Sequence, residues 1–137
     1  MPHILLVEDE LQLRRIITMN LARRGYSVGE ADSVENALDM LLAAWDACYP
    51  FDMIILETHL AERPGWDLLR LLRSPEVARM GLPLTPVVVM SALPIAHSRA
   101  SEFAPVATLL KPFPIAALFH LVQRYTDHAS AAPARGA

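Results

Sequence analysis

The sequence predicts an open α/β domain: a doubly wound parallel sheet in strand order 2-1-3-4-5, with helices on both faces. Five short apolar runs alternate strictly with segments of helical periodicity, which implies parallel strands joined by right-handed crossovers. The central runs are apolar throughout, as expected of strands covered on both sides. They stop abruptly at charged or polar residues, so the carboxyl edge of the sheet should collect chemically active groups.

The first strand is His3-Ile4-Leu5-Leu6-Val7, and it stops at Glu8-Asp9-Glu10. From Leu11 to Arg24, Leu13, Ile16, Ile17 and Leu21 recur at helical spacing, and Gly25 supplies the stop. Tyr26 to Ala31 is a weaker second strand. Asp32 or Ser33 caps a helix that turns Val34, Ala37, Leu38, Leu41 and Leu42 inward and ends near Ala47; with Glu35, Asp32 would form a capping box. After Tyr49-Pro50 comes the central strand, Asp52-Met53-Ile54-Ile55-Leu56, which ends in Glu57.

A loop from Thr58 to Gly65 leads to a helix from Trp66 to Arg73, and Ser74-Pro75 predicts a helical restart with Pro at its first position. Pro86 to Met90 is the fourth strand, with Ser91 at its end. Pro94 to Phe103 reads as a poor and mobile helix. Val106 to Leu110 is the last strand, ending at Lys111-Pro112-Phe113, and Pro114 opens a final helix through Ile115, Leu118, Val122 and Tyr125. The expected organisation is a single domain over residues 1–128 and a flexible Ala-rich tail over 129–137.

A chain of 137 residues with 53% hydrophobic content can build one complete core. A net charge of -3 gives no electrostatic case for nucleic acid or an anionic membrane. With neither a spanning run nor a signal-peptide pattern, a soluble cytoplasmic protein is expected. The single Cys48 has no internal disulfide partner and reads as a small, partly buried apolar residue. Of the 12 basic residues only Lys111 is Lys, which marks a position where a compact ammonium is wanted.

In strand order 2-1-3-4-5 the switch point lies between strands one and three, so Glu8, Asp9 and Glu57 should meet there. Carboxylates that close together need either raised pKa values or a cation, and all-oxygen ligation suits Mg²⁺. Ser91 and Lys111 would face the same crevice from the other side. A cation opposite an ammonium and a hydroxyl is equipment for holding a phosphoryl group.

Five segments, in order at strand ends, carry a resemblance: Ile4 to Glu10, Asp52 to Glu57, Gly65-Trp66-Asp67-Leu68-Leu69, Val88-Val89-Met90-Ser91-Ala92, and Leu110-Lys111-Pro112-Phe113. The chain resembles the receiver domain of two-component response regulators, of flavodoxin-like (βα)5 fold, from Pro2 to about His128. The resemblance implies that Glu8 and Asp9 organise Mg²⁺ together with the backbone carbonyl at His59. It makes Ser91 the switch hydroxyl and Lys111 the phosphate-binding lysine, before a usually cis Lys-Pro bond. Glu57 falls where the family has the Asp that accepts phosphate from a histidine kinase.

Three departures follow from the same alignment of residues. Glu for Asp carries the carboxylate outward by roughly 1.5 Å, and a misplacement of about 1 Å can cost ~10²-fold in phosphoryl transfer. Thr108 stands where the family has its switch aromatic. Ala61 stands where a Pro commonly follows the acceptor. The expected function is that of an atypical single-domain receiver, not an enzyme, that acts in phosphorelay signalling by protein contact and binds Mg²⁺ weakly, with Glu57 either mimicking the activated state or leaving it phosphorylation-independent.

Its expected partners are a histidine kinase, a phosphotransfer protein or a downstream effector. Leu11, Arg14 and Arg15 would form the meeting surface, and the apolar final helix would offer a homodimer face. The alternative is a metal-dependent phosphohydrolase of haloacid-dehalogenase type, which lacks support because the first strand has no Asp-x-Asp pattern and a cap domain has no room. An FMN carrier is disfavoured by the acidic Glu8-Asp9-Glu10 loop.

Overall fold

A computed structural model describes residues 1–93 and 104–131. Its strands are β1 (His3–Val7), β2 (Ser27–Ala31), β3 (Met53–Glu57), β4 (Val87–Ser91) and β5 (Ala107–Leu110). Its helices are α1 (Leu11–Arg23), α2 (Val34–Asp46), α3 (Trp66–Leu72), α4 (Pro75–Arg79) and α5 (Ile115–Ala131). The five strands form one parallel sheet in the order β2-β1-β3-β4-β5, as the sequence predicts. The predicted helix over Pro94 to Phe103 lies outside the described residues.

Successive side chains along a strand point to opposite faces, and this pleat divides the core in two. Leu5, Val7, Ile54, Leu56, Val87 and Val89 pack with Val34, Ala37 and Leu41 of α2 and Leu68 and Leu69 of α3. Ile4, Leu6, Met53, Ile55, Val88 and Met90 pack with Ile17 and Leu21 of α1 and Leu118 and Val122 of α5. Every residue of β1, β3 and β4 is buried, which is why those runs show no polar alternation. The edge strands β2 and β5 are only half-buried.

The predicted helix ends are largely present. Gly25, at φ +90°, makes the left-handed turn that closes α1. Ser74 caps α4, with Pro75 in its first turn. At α2 the Asp32–Glu35 capping box does not form. Ser33 Oγ accepts from the Asn36 backbone N–H, while Asp32 binds the Asn36 side chain and Glu35 pairs with Arg63.

Three expectations are corrected. Cys48 is exposed, not partly buried, and adopts φ +59° just past the end of α2. Ile16, one of the apolar residues at helical spacing along α1, is 55% exposed. The last helix continues to Ala131, into the stretch expected as tail, because Ala favours helix and no breaker occurs before Pro133. Among the described residues no helix is long and apolar enough to cross a membrane.

Candidate functional site

The carboxyl edge of the sheet is organised by the same two-residue pleat. Glu57 closes β3 in register with Met90, so its side chain shares the face of Ile55 and Met90. The ladder extends one residue past β1, where the Glu8 N–H donates to Ala31 O at 3.0 Å, and one past β5, where the Lys111 N–H donates to Ser91 O at 2.7 Å. Glu8 therefore follows the parity of Leu6, and Lys111 that of Leu109. All three side chains emerge on the α1/α5 face.

They meet there. The Lys111 ammonium lies 2.7 Å from Glu8 Oε1 and 2.6 Å from Glu57 Oε2, bridging two carboxylates that are almost fully buried. The approach to Glu57 Oε2 is an ion-pair contact outside the directions of a hydrogen bond. The remaining oxygens take backbone donors: Glu8 Oε2 accepts from Glu10 N–H at 3.3 Å and Glu57 Oε1 from His59 N–H at 3.2 Å. The Lys111–Pro112 bond is cis.

Burial pushes the Glu8 carboxyl above its usual range, and Lys111 offsets part of that rise. For Lys111, burial pulls the pKa down, but the carboxylates of Glu57 and Glu8 outweigh it and the net shift is upward. The ammonium thus stays charged, which the two buried acids require.

The other predicted site residues are directed elsewhere. Asp9 lies in a bend past the end of β1, and its Oδ2 accepts the Ala61 N–H of the β3–α3 loop at 2.8 Å. The His59 imidazole lies between hydroxyls, with Nδ1 3.0 Å from Thr58 Oγ1 and 3.4 Å from Ser91 Oγ. Ser91 is buried on the α2/α3 side of the pleat and accepts the Leu93 N–H at 3.0 Å. Thr108 is half-buried on β5 in register with Val89.

Of the three carboxylates expected to meet, Glu8 and Glu57 share one cation while Asp9 is held by the loop. Among the described residues no three His, Cys, Asp or Glu side chains converge to hold a metal. Glu8 and Glu57 are gathered instead by Lys111, and as arranged this donor set does not fit Mg²⁺.

The β3–α3 loop contains features that sequence reasoning missed. Arg63 pairs with Glu35 of α2 at 2.9 Å and with Asp67 of α3 at 3.0 Å, strapping the loop across the sheet edge. Arg14, read as a partner residue, instead binds the Glu8 carbonyl at 2.9 Å and Glu30 at 3.0 Å. Gly65 lies so close to β3 that an added Cβ would collide with the Glu57 carbonyl oxygen. Gly65→Ala is expected to destabilise the fold by about 1–3 kcal/mol, the usual range for overpacking. Urea denaturation checks this, and unchanged stability would mean that the loop can move away freely.

The family model of the response regulator receiver domain matches residues 4–123. The chain belongs to this family. Transcriptional regulatory protein CusR of Escherichia coli is 31% identical over 122 residues, which cover 88% of this chain and 49% of CusR. The receiver chain thus spans about half the length of that curated relative.

Two solved structures share the receiver fold. Response regulator TrrA of Thermotoga maritima, in complex with Mg²⁺-BeF, superposes with a TM-score of 0.75 at 22% identity, covering 91% of this chain and 99% of TrrA. A two-component response regulator from Clostridium difficile has a TM-score of 0.78 at 20% identity, covering 94% of this chain and 98% of the other.

Proposed function

We propose that this receiver relays signals through protein contact without taking up a phosphoryl group, and that Glu57 occupies the position of the acceptor. The observation that carries the reading is the 2.6 Å contact between Glu57 and Lys111. The longer side chain delivers a permanent charge to the lysine that would otherwise hold a phosphoryl group. The imitation is partial, since a carboxylate carries about -1 where a phosphoryl group carries about -1.5 to -2.

Two neighbouring positions support independence from phosphorylation. Ser91, the switch hydroxyl by resemblance, is engaged by Leu93 and His59. Thr108 supplies no aromatic ring for the usual hydroxyl-to-aromatic relay. Mg²⁺ is a weak ligand in this reading, because both oxygens of Glu8 and of Glu57 already have partners.

The partner is a histidine kinase, a phosphotransfer protein or a downstream effector, met through α1. That helix exposes Leu11, Ile16 and Met19. The surplus apolar residues of α5 are less available for a dimer, since Ile115, Phe119, Leu121 and Tyr125 pack against the core. Arg24 also covers the Phe119 ring at 3.8 Å.

Incubation with acetyl phosphate and Mg²⁺, followed by intact-mass measurement, tests the reading. The expected result is no phosphorylated species. Rapid labelling mapped to Glu57 would overturn it.

A further inference from the structure

We propose that the ammonium of Lys111, seated between Glu8 and Glu57, takes the place of a divalent cation and makes the crevice a metal-independent site. The inference deepens the reading of Glu57 given above and rests on it. Two carboxylates this deeply buried repel each other unless a positive charge lies between them. The chain supplies that charge itself, 2.7 Å from one and 2.6 Å from the other.

The arrangement follows from strand parity and side-chain length. Glu8, Glu57 and Lys111 leave the sheet on one face and meet there, whereas the Asp9 carboxylate is held by the Ala61 N–H. An ion entering between Glu8 and Glu57 would have to displace the ammonium and give up part of its own hydration, which Mg²⁺ does reluctantly. The extra methylene of Glu57 extends its carboxylate outward toward the ammonium, so the departure from Asp and the exclusion of metal have one cause.

The sequence makes the test unusually direct, since Lys111 is its only lysine. Protein labelled with ¹³C,¹⁵N-lysine gives one side-chain spin system. The expected spectrum shows an ammonium protected from solvent exchange, unmoved by millimolar MgCl₂ relative to NaCl of equal ionic strength. Tm should be equally insensitive to Mg²⁺. In Lys111→Met the obstacle is gone, and Mg²⁺ should raise Tm.

A saturable Mg²⁺-dependent shift of the lysine signal or of Tm in the wild type overturns the proposal, as does a rapidly exchanging, solvent-like ammonium. A folded Lys111→Met that gains no Mg²⁺ response also overturns it. If that variant fails to fold, the wild-type lysine spectrum decides. These readouts are separate from phosphoryl uptake: Mg²⁺ binding without labelling of Glu57 removes this inference and leaves the proposed function standing, while labelling removes the proposed function itself.

Discussion

Glu57→Asp is expected to turn a receiver that ignores acetyl phosphate into one that is labelled at position 57 when Mg²⁺ is supplied. The gain should be on the order of 10²-fold or more, the scale set by moving a reacting group about 1 Å. Shortening the side chain by one methylene draws the carboxylate back by roughly 1.5 Å. The 2.6 Å contact with Lys111 is then broken or stretched. The ammonium becomes free to face an incoming phosphoryl group, and the crevice becomes accessible to a cation.

Glu8, Asp9, Ser91 and Lys111 remain at the same sheet edge in that variant, so no other part of the machinery needs replacing. Intact-mass measurement over time, with and without Mg²⁺, gives the ratio of rates. A folded Glu57→Asp that stays unlabelled would show that Asp9, held by Ala61, or the loop strapped by Arg63 blocks the chemistry as well. The length of Glu57 would then not be the deciding feature.

The fold was legible because its signals are local and mutually consistent. The apolar runs of β1, β3 and β4 mark strands with two covered faces, and the Gly25 and Ser74 signals define real helix ends. Strand order alone brings Glu8, Glu57 and Lys111 to one edge of the sheet. What strand order could not give was side-chain direction.

Asp9 lies past the end of β1, in a bend, so its contact with the Ala61 N–H could not be read from the strand pattern. The Arg63 strap and the role of Arg14 were not legible. Each joins residues far apart in the chain through long flexible side chains, for which periodicity carries no information. The exposure of Ile16 was hidden for a different reason: an apolar residue on the shoulder of a helical stripe has the same spacing whether or not a neighbour covers it.

Lys111→Met should cost about 2–4 kcal/mol of stability at neutral pH, somewhat below the ~3–5 kcal/mol typical of halving a fully buried ion pair. The reduction reflects partial solvent access, since the Lys111 side chain is 19% exposed while those of Glu8 and Glu57 are 2% and 5% exposed. Met keeps most of the apolar stem, so the loss isolates the charge. Two buried carboxylates are then left facing each other without a counter-charge.

The pH dependence has a definite sign. Burial already raises the Glu8 pKa in the folded protein, and removing Lys111 takes away the main opposing influence. A carboxyl whose folded pKa exceeds its unfolded value binds a proton more tightly when folded, so that part of the stability grows as pH falls through the folded pKa. The deficit of Lys111→Met relative to wild type should therefore be largest above neutrality and shrink as pH falls from neutrality toward the ordinary Glu range.

Urea denaturation of both proteins across that window measures it. Adding Glu8→Gln and Glu57→Gln to Lys111→Met removes the uncompensated charges and should recover most of the loss. A deficit below about 1 kcal/mol that does not vary with pH would place Lys111 among ordinary solvated surface pairs. The ammonium would then no longer account for how two acids can be buried side by side at the end of this sheet.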